Sequence, residues 1–260
     1  MIHPNTAIHP SAVIHPSAEI ADKVQIGPFS VIDEHVKIDE GTIVGPHVVI
    51  NGHTTIGKNN HFYQFSSIGE ANQDKKYNGE PTQTIIGDNN VIRESCTIHR
   101  GTTQDHQITQ IGNDNLLMAY THIAHDCQLG NHIIIANSSN IAGHVVIDDW
   151  AILGGFTGVH QFCHIGAHSF LGIRSHVTQD ILPFILFAEG SPRSINVEGI
   201  KRRGFLKDEI SLLRKAYKII FRQGLTIDDA IKEVSNLSEN SEVLKIMTDF
   251  IKKSDRGIAR

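Results

Sequence analysis

The chain is poor in cysteine, in aromatic residues and in long apolar runs. Three cysteines (Cys96, Cys127, Cys163) occur among 260 residues, with no CxxC and no paired spacing. A disulfide framework is therefore not expected, and a reducing compartment, the cytoplasm, is. Aromatic residues make up 6% of the sequence, too few for a platform that stacks nucleic-acid bases. No signal peptide opens the sequence, and no stretch approaches the ~18 apolar residues of a membrane span, so stable membrane insertion is not expected.

What the sequence does have is a period of six. From Ile2 through Ile8, Ile14, Ile20 and onward to Phe62 and Ile68, every sixth residue is aliphatic or aromatic. Four residues after each anchor stands something small or slim, such as Ala18, Ser30, Thr42 or Asn60. Neither a helix nor an isolated strand repeats at six; a short unit stacked along an axis does, each unit burying one large side chain in a narrow shared core. The size alternation fits, because a second large residue per unit would overpack that core. The phase breaks after Ile68, resumes at Ile86, Ile92 and Ile98, and after a second break runs from Ile111 to Val177. The pattern is that of a hexapeptide-repeat β-helix, an all-β solenoid. It resembles the left-handed parallel β-helices, in which three hexapeptides make one triangular coil of about eighteen residues. Gly27-Pro28, Gly45-Pro46 and Gly57-Lys58-Asn59-Asn60 suit corner turns with positive φ.

Two polar segments leave the repeat, 69–84 and 99–110. Excursions from a regular solenoid often carry binding residues, and the first one ends an unbroken run of anchors. From about Gly190 the pattern turns helical. Leu206–Gln223 carries an apolar stripe, Gly224 fits a C-cap, and Thr226 and Ser241 fit N-caps. The expected organisation is a β-helix over 1–189 and a small α-helical domain over 190–260. Residues 1–190 hold 8 basic against 18 acidic side chains, residues 191–260 hold 15 against 10. A basic tail on an acidic body suits an anionic partner, although a solvated helical surface would look the same.

An eighteen-residue coil turns spacing into proximity. His125, Gly143 and Gln161 should form a column ~5 Å apart, flanked by His122, His144 and His160. An imidazole beside a glycine N–H can serve as a base next to an oxyanion donor. Asp126 would bias the imidazole, except that neighbours in a strand point to opposite sides. Most of the 17 histidines are expected to be ordinary corner residues, among them His106, His132, His168 and His176. Zinc ranks below acyl transfer: hexapeptide β-helices include a zinc-dependent carbonic anhydrase class, but its five-residue histidine spacing is missing near His122 and His125, and the His160, His164, His168 series falls on strand and corner.

The segments SIGEANQDKKYNGEPT, RESCTIHRGT, DNLLMAYTHIAHDCQLGN, AGHVVIDDWAILGGFTGVHQFCHIGAH and NVEGIKRRGF together resemble the acyl-carrier-protein:UDP-N-acetylglucosamine 3-O-acyltransferase family, over essentially the whole chain. The resemblance implies a homotrimer with sites between subunits, an acyl carrier protein as donor, UDP-N-acetylglucosamine as acceptor, and no metal or other cofactor. It implies His125 as general base, Asp126 as its partner and Gly143 N–H as oxyanion donor. Asp74, Lys76, His122, His144 and Gln161 match sugar and pyrophosphate contacts, with His160 and His99 weaker matches. Asn196, Glu198, Arg202 and Arg203 match the nucleotide end. Ile173 departs from the glycine of members that take long chains, which implies a medium-length 3-hydroxyacyl group. A sister N-acyltransferase would carry an additional N-terminal domain, an acetyl-CoA-dependent hexapeptide enzyme would not need the first insertion, and an ice-binding solenoid would show threonine ladders instead of clustered histidines.

Overall fold

In the computed structural model, which describes residues 1–238 and 241–260, strands two to five residues long stack into three sheets of eleven, nine and eight strands. All pairings up to Phe187 are parallel, and undisturbed coils put partners eighteen residues apart, as in Ala7↔Gln25 and Leu116↔Ile134. The result is a left-handed parallel β-helix of triangular section. Its core is the sixfold anchor series, Ile20 to Val177, at 0–4% exposure.

From Lys23 on, most corners are closed by a residue with positive φ, and most of these are not glycine: Phe65, Trp150 and Phe162 all stand there. The Gly27 and Gly45 expectation is corrected accordingly. Neither has positive φ; Phe29 and His47, two residues on, do. What these glycines allow is close approach between coils, since a Cβ on Gly27 would sit 2.8 Å from Pro46 N and one on Gly45 2.8 Å from Phe62 O. Slim core positions also bond from coil to coil. Asn60, Asn90 and Asn115 form a buried ladder in which each Oδ1 accepts the backbone N–H of the next coil, at 2.7–2.9 Å.

Where the insertions leave, register jumps: His61 pairs with Val91 thirty residues on, and Val91 with Leu116 twenty-five on. The excursions are thus twelve and seven residues longer than a plain coil. Both are narrower than the polar composition suggests. Strands Ser67–Glu70 and Gln83–Ile86 take the ends of the first, while Thr97–His99 and Ile108–Ile111 take those of the second.

The switch to helix also comes later than Gly190. Glu189 and Gly190 both have positive φ and turn the chain into an antiparallel hairpin, Ile185–Ala188 with Ser191–Ile195. Among the described residues four helices follow: α1 (Val197–Arg202), α2 (Lys207–Arg222), α3 (Ile227–Leu237) and α4 (Glu242–Lys253). Gly224 (φ +69°) stands just past α2, and Thr226 Oγ1 caps α3 by accepting Asp229 N–H; Ser241 stands at the N-cap of α4 but makes no such bond. Tyr217 of α2 donates its hydroxyl to Arg193 O at 2.7 Å, and Ser254 donates to Asp180 Oδ2 at 2.6 Å, which pins the helices to the end of the prism. No helix among the described residues is long and apolar enough to cross a membrane.

Candidate active site

Three prism edges result from the triangular section, and the histidine column occupies the one between the nine- and eight-stranded sheets. His125 leaves the strand His122–Ile123 at a corner, and its ring lies directly over Gly143: a Cβ at 143 would fall 2.5 Å from His125 Cε1 and 2.7 Å from Nε2. Only glycine leaves room for the imidazole. The Gly143 N–H donates to no group among the described residues, whereas the next N–H, that of His144, is used by His125 O at 3.0 Å.

Asp126 reaches its neighbour because the two are not in a strand. Asp126 holds the positive-φ corner position (φ 59°), and this turns its carboxylate back so that His125 Nδ1–H donates to Oδ2 at 2.9 Å. Its side chain is fully buried. Burial alone would push the carboxyl pKa up; hydrogen bonds from His125 and from the N–H and hydroxyl of Thr102 outweigh it and hold the pKa below the usual range.

His144, at the equivalent corner one coil on, bonds Asp105 Oδ2 through Nδ1 at 2.6 Å and stacks on Phe162 at 4.4 Å. Atoms of His125, Asp126 and His144 fall within 4.8 Å of one another, close enough for a metal ligand set. Both histidine Nδ1 atoms, however, already face carboxylates at hydrogen-bond distance, in two separate pairs, His125 with Asp126 and His144 with Asp105.

A groove of about 710 Å³ runs along the nine-stranded sheet beside this edge. His99, His122, His125, Gly143, His160 and Gln161 line it, with Asp74 of the first insertion as its far wall. His176, exposed as expected, borders it too. A smaller recess of about 490 Å³ on the other side of His125 is bounded by Asp74, Lys76, Asp105, His144, Gln161 and Phe162. His122 accepts or donates to Thr97 Oγ1 at 2.7 Å, and burial lowers its pKa, with His125 adding to the effect. His99, packed edge-on against His122 at 4.9 Å, is pushed down to about 4, chiefly by burial and then by His122.

The first insertion is braced by the second. Asn72 donates from Nδ2 to Gly101 O at 3.0 Å and accepts Asp74 N–H at 3.1 Å through Oδ1; Asp74 Oδ1 accepts Lys76 N–H at 2.9 Å. Arg100 fastens the loop's start through Gly69 O at 2.8 Å. Thr102, Asp105 and Asn72 carry these arrangements, yet the sequence did not single them out. Their only signal was membership of the insertions.

The remaining candidates lie on other edges. Asn196 is the N-cap of α1, with Oδ1 on Gly199 N–H at 3.2 Å and Nδ2 on His168 O at 2.9 Å, at the edge between the eight- and eleven-stranded sheets. Glu198 and Arg202 are exposed on α1. Arg203 packs over Trp150 at 5.0 Å and bonds His168 Nδ1 at 3.1 Å, and burial lowers its pKa. His168 is therefore not the surface residue expected; burial, then Arg203, pushes it down to about 4. Ile173 is 70% exposed on the third edge, between the eleven- and nine-stranded sheets.

Residues 108–143 match the bacterial transferase hexapeptide family (six repeats), and residues 180–259 match domain 2 of Udp N-acetylglucosamine O-acyltransferase. The acyl-[acyl-carrier-protein]–UDP-N-acetylglucosamine O-acyltransferase of Pseudomonas putida (strain W619) is 53% identical over 93% of this chain and 95% of its own length. Among solved structures, LpxA from Acinetobacter baumannii superposes with a TM-score of 0.95 at 46% identity over 97% of this chain and 99% of that one. The UDP-N-acetylglucosamine acyltransferase of Campylobacter jejuni gives 0.91 at 39% identity over 97% and 98%. A glycine that admits an imidazole, a carboxylate that holds it and a hexapeptide prism that stacks them thus sit in a chain that belongs to the acyl-[acyl-carrier-protein]–UDP-N-acetylglucosamine O-acyltransferase family of enzymes.

Proposed function

We propose that this chain transfers an (R)-3-hydroxyacyl group from acyl carrier protein to the 3-hydroxyl of UDP-N-acetylglucosamine, the first step of lipid A synthesis, in the cytoplasm and without a metal or other cofactor. His125 Nε2 takes the proton of the sugar hydroxyl as its oxygen attacks the thioester carbonyl. The tetrahedral oxyanion is held by Gly143 N–H, and on its collapse the C–S bond breaks and the phosphopantetheine sulfur leaves with the proton from His125. A secondary hydroxyl is a poor nucleophile near neutral pH, so a base of histidine type suits it, and a thioester is already activated enough to need no Lewis acid. The observation that carries this reading is the His125 ring seated on Gly143 while its Nδ1 is bound to a buried carboxylate.

Asp74, Lys76, His122, His144, His160 and Gln161 then contact sugar and pyrophosphate. Asn196, Glu198, Arg202 and Arg203 serve the nucleotide end, the guanidinium groups pairing with phosphate. Their edge is not that of His125, and neither is Ile173's. One chain cannot close a site from all three edges, which supports a homotrimer with each site between two copies. Ile173 would then shorten the acyl groove, and Ile173→Gly should extend the chain length accepted; identical length profiles would sink that idea. The basic helical region suits acidic acyl carrier protein. Purified protein assayed with 3-hydroxyacyl carrier protein and UDP-N-acetylglucosamine tests the whole reading: product is expected from wild type and almost none from His125→Ala, while near-normal turnover by that variant would overturn it.

A further inference from the structure

We propose that Thr102, carried by the second insertion, is a positioning residue that fixes the Asp126 carboxylate and through it the His125 imidazole for proton transfer. This rests on the reading of His125 and Asp126 given above. Thr102 is 1% exposed. Its N–H lies 3.0 Å from both carboxylate oxygens of Asp126, and its hydroxyl donates to Oδ2 at 2.7 Å, the same oxygen that accepts His125 Nδ1–H. Asp126 N–H in turn donates to Thr109 Oγ1 at 2.8 Å. The carboxylate is gripped at both ends and cannot rotate without losing a charge-assisted bond.

The loop is built to bring this residue there. At Gly101 a Cβ would lie 2.3 Å from Ile108 N, so the two ends of the insertion are pressed together, and Asn72 braces Gly101 O from the first insertion. Hydrogen bonds from Thr102 favour the ionised form of Asp126, the form that can accept from His125 Nδ1–H. The ionisable groups that face the dyad are His144, 3.9 Å from Asp126 Oδ2, with its partner Asp105. His122 and His99 lie along the sheet, and Asp74 and Lys76 lie across the two cavities. Cys127, next in the chain, is buried with its thiol pushed up to about 12 and stays neutral.

Thr102→Val keeps the shape and the N–H but deletes the hydroxyl donor; Thr102→Ser keeps both donors. For the valine variant kcat should fall about 10- to 100-fold, as the loss of one hydrogen bond to a charged group implies. The KM values should stay within about twofold, since the lost bond acts on proton transfer and not on substrate binding. Serine should restore most of the activity. Turnover of Thr102→Val within about twofold of wild type, or a loss that serine shares in full, would overturn the proposal. If the valine variant melts low, the His125 Nδ1–H proton resonance recorded below its melting temperature decides: a broadened or missing signal supports the role, an unchanged one refutes it. His125→Ala run in parallel separates the cases, since its retained activity would sink the site assignment itself and not only the role of Thr102.

Discussion

His35 and His144 hold the same place in the fold. Each stands at the corner between the nine- and eight-stranded sheets, with φ of 62° and 63°, and each lies near an acidic side chain. Yet His35, in the uninterrupted N-terminal coils, has a side chain 51% exposed, 3.7 Å from an equally open Glu34, whereas the side chain of His144 is 12% exposed and locked to Asp105 at 2.6 Å. The backbone is the same; the surroundings are not. In the central coils the two insertions supply Asp105, Thr102, Asn72 and Asp74, which cover the corner and replace water with fixed partners. The prism supplies spacing, and the insertions supply the environment in which an imidazole can act.

The comparison breaks most severely at Gly143. Alanine there would put a methyl 2.5 Å from the His125 ring and force it off the column. A displacement of about 1 Å, together with a disturbed oxyanion donor, should reduce kcat about 100- to 1000-fold. The thermal melting curve should change little, because the clash falls on a side chain at the surface of the groove and not on the anchor core. Asp105→Asn is the next test. It keeps the shape of the bond to His144 but removes the charge, and an increase of about five- to tenfold in the KM for the sugar nucleotide is expected, with kcat less affected. If kcat falls and KM does not, His144 belongs with the proton transfer and not with binding.

His99 sharpens the contrast through pH. The folded protein keeps it neutral down to about 4, while the unfolded chain takes up a proton near 6.5. Its folded value is depressed, so its contribution to stability is complete above about pH 6.5 and is lost as pH falls towards 4. The size is on the order of 3 kcal/mol. His99→Gln should therefore flatten the dependence of melting temperature on pH across that window, and an unchanged slope would show that His99 is not the group responsible.

Much of this was legible in the sequence, for a physical reason. A sixfold anchor series with slim partners has few structural solutions, and once the coil length is set, His125, Gly143 and Gln161 must stack. The anchors Ile123, Ile141 and Val159 carry that information without any long-range contact. What stayed hidden depends on departures from the repeat. Asp126 looked mispointed because a strand was assumed where the chain turns a corner. His168 looked like surface because Arg203, thirty-five residues on, could not be placed against it. Thr102 and Asp105 were invisible because an insertion has no period, so nothing in it converts spacing to proximity.

The smallest effect is expected at His35, and its smallness is informative. His35→Asn keeps a residue that tolerates positive φ, as Asn59 and Asn89 do at other corners of the same prism. It removes the stacking on His53, whose rings lie 4.4 Å apart at 4°, and a contact with Glu34 that solvent screens on both sides. Those losses together should change stability by about 0.5 kcal/mol or less, with kcat unaltered. If instead the variant loses activity in proportion to a change at His144, the N-terminal corner is part of the working site and the insertions are not what distinguishes the two histidines. Differential melting and turnover measured on the same preparation distinguish these outcomes, because a scaffold effect would move both together while loss of a solvent-exposed corner imidazole moves neither.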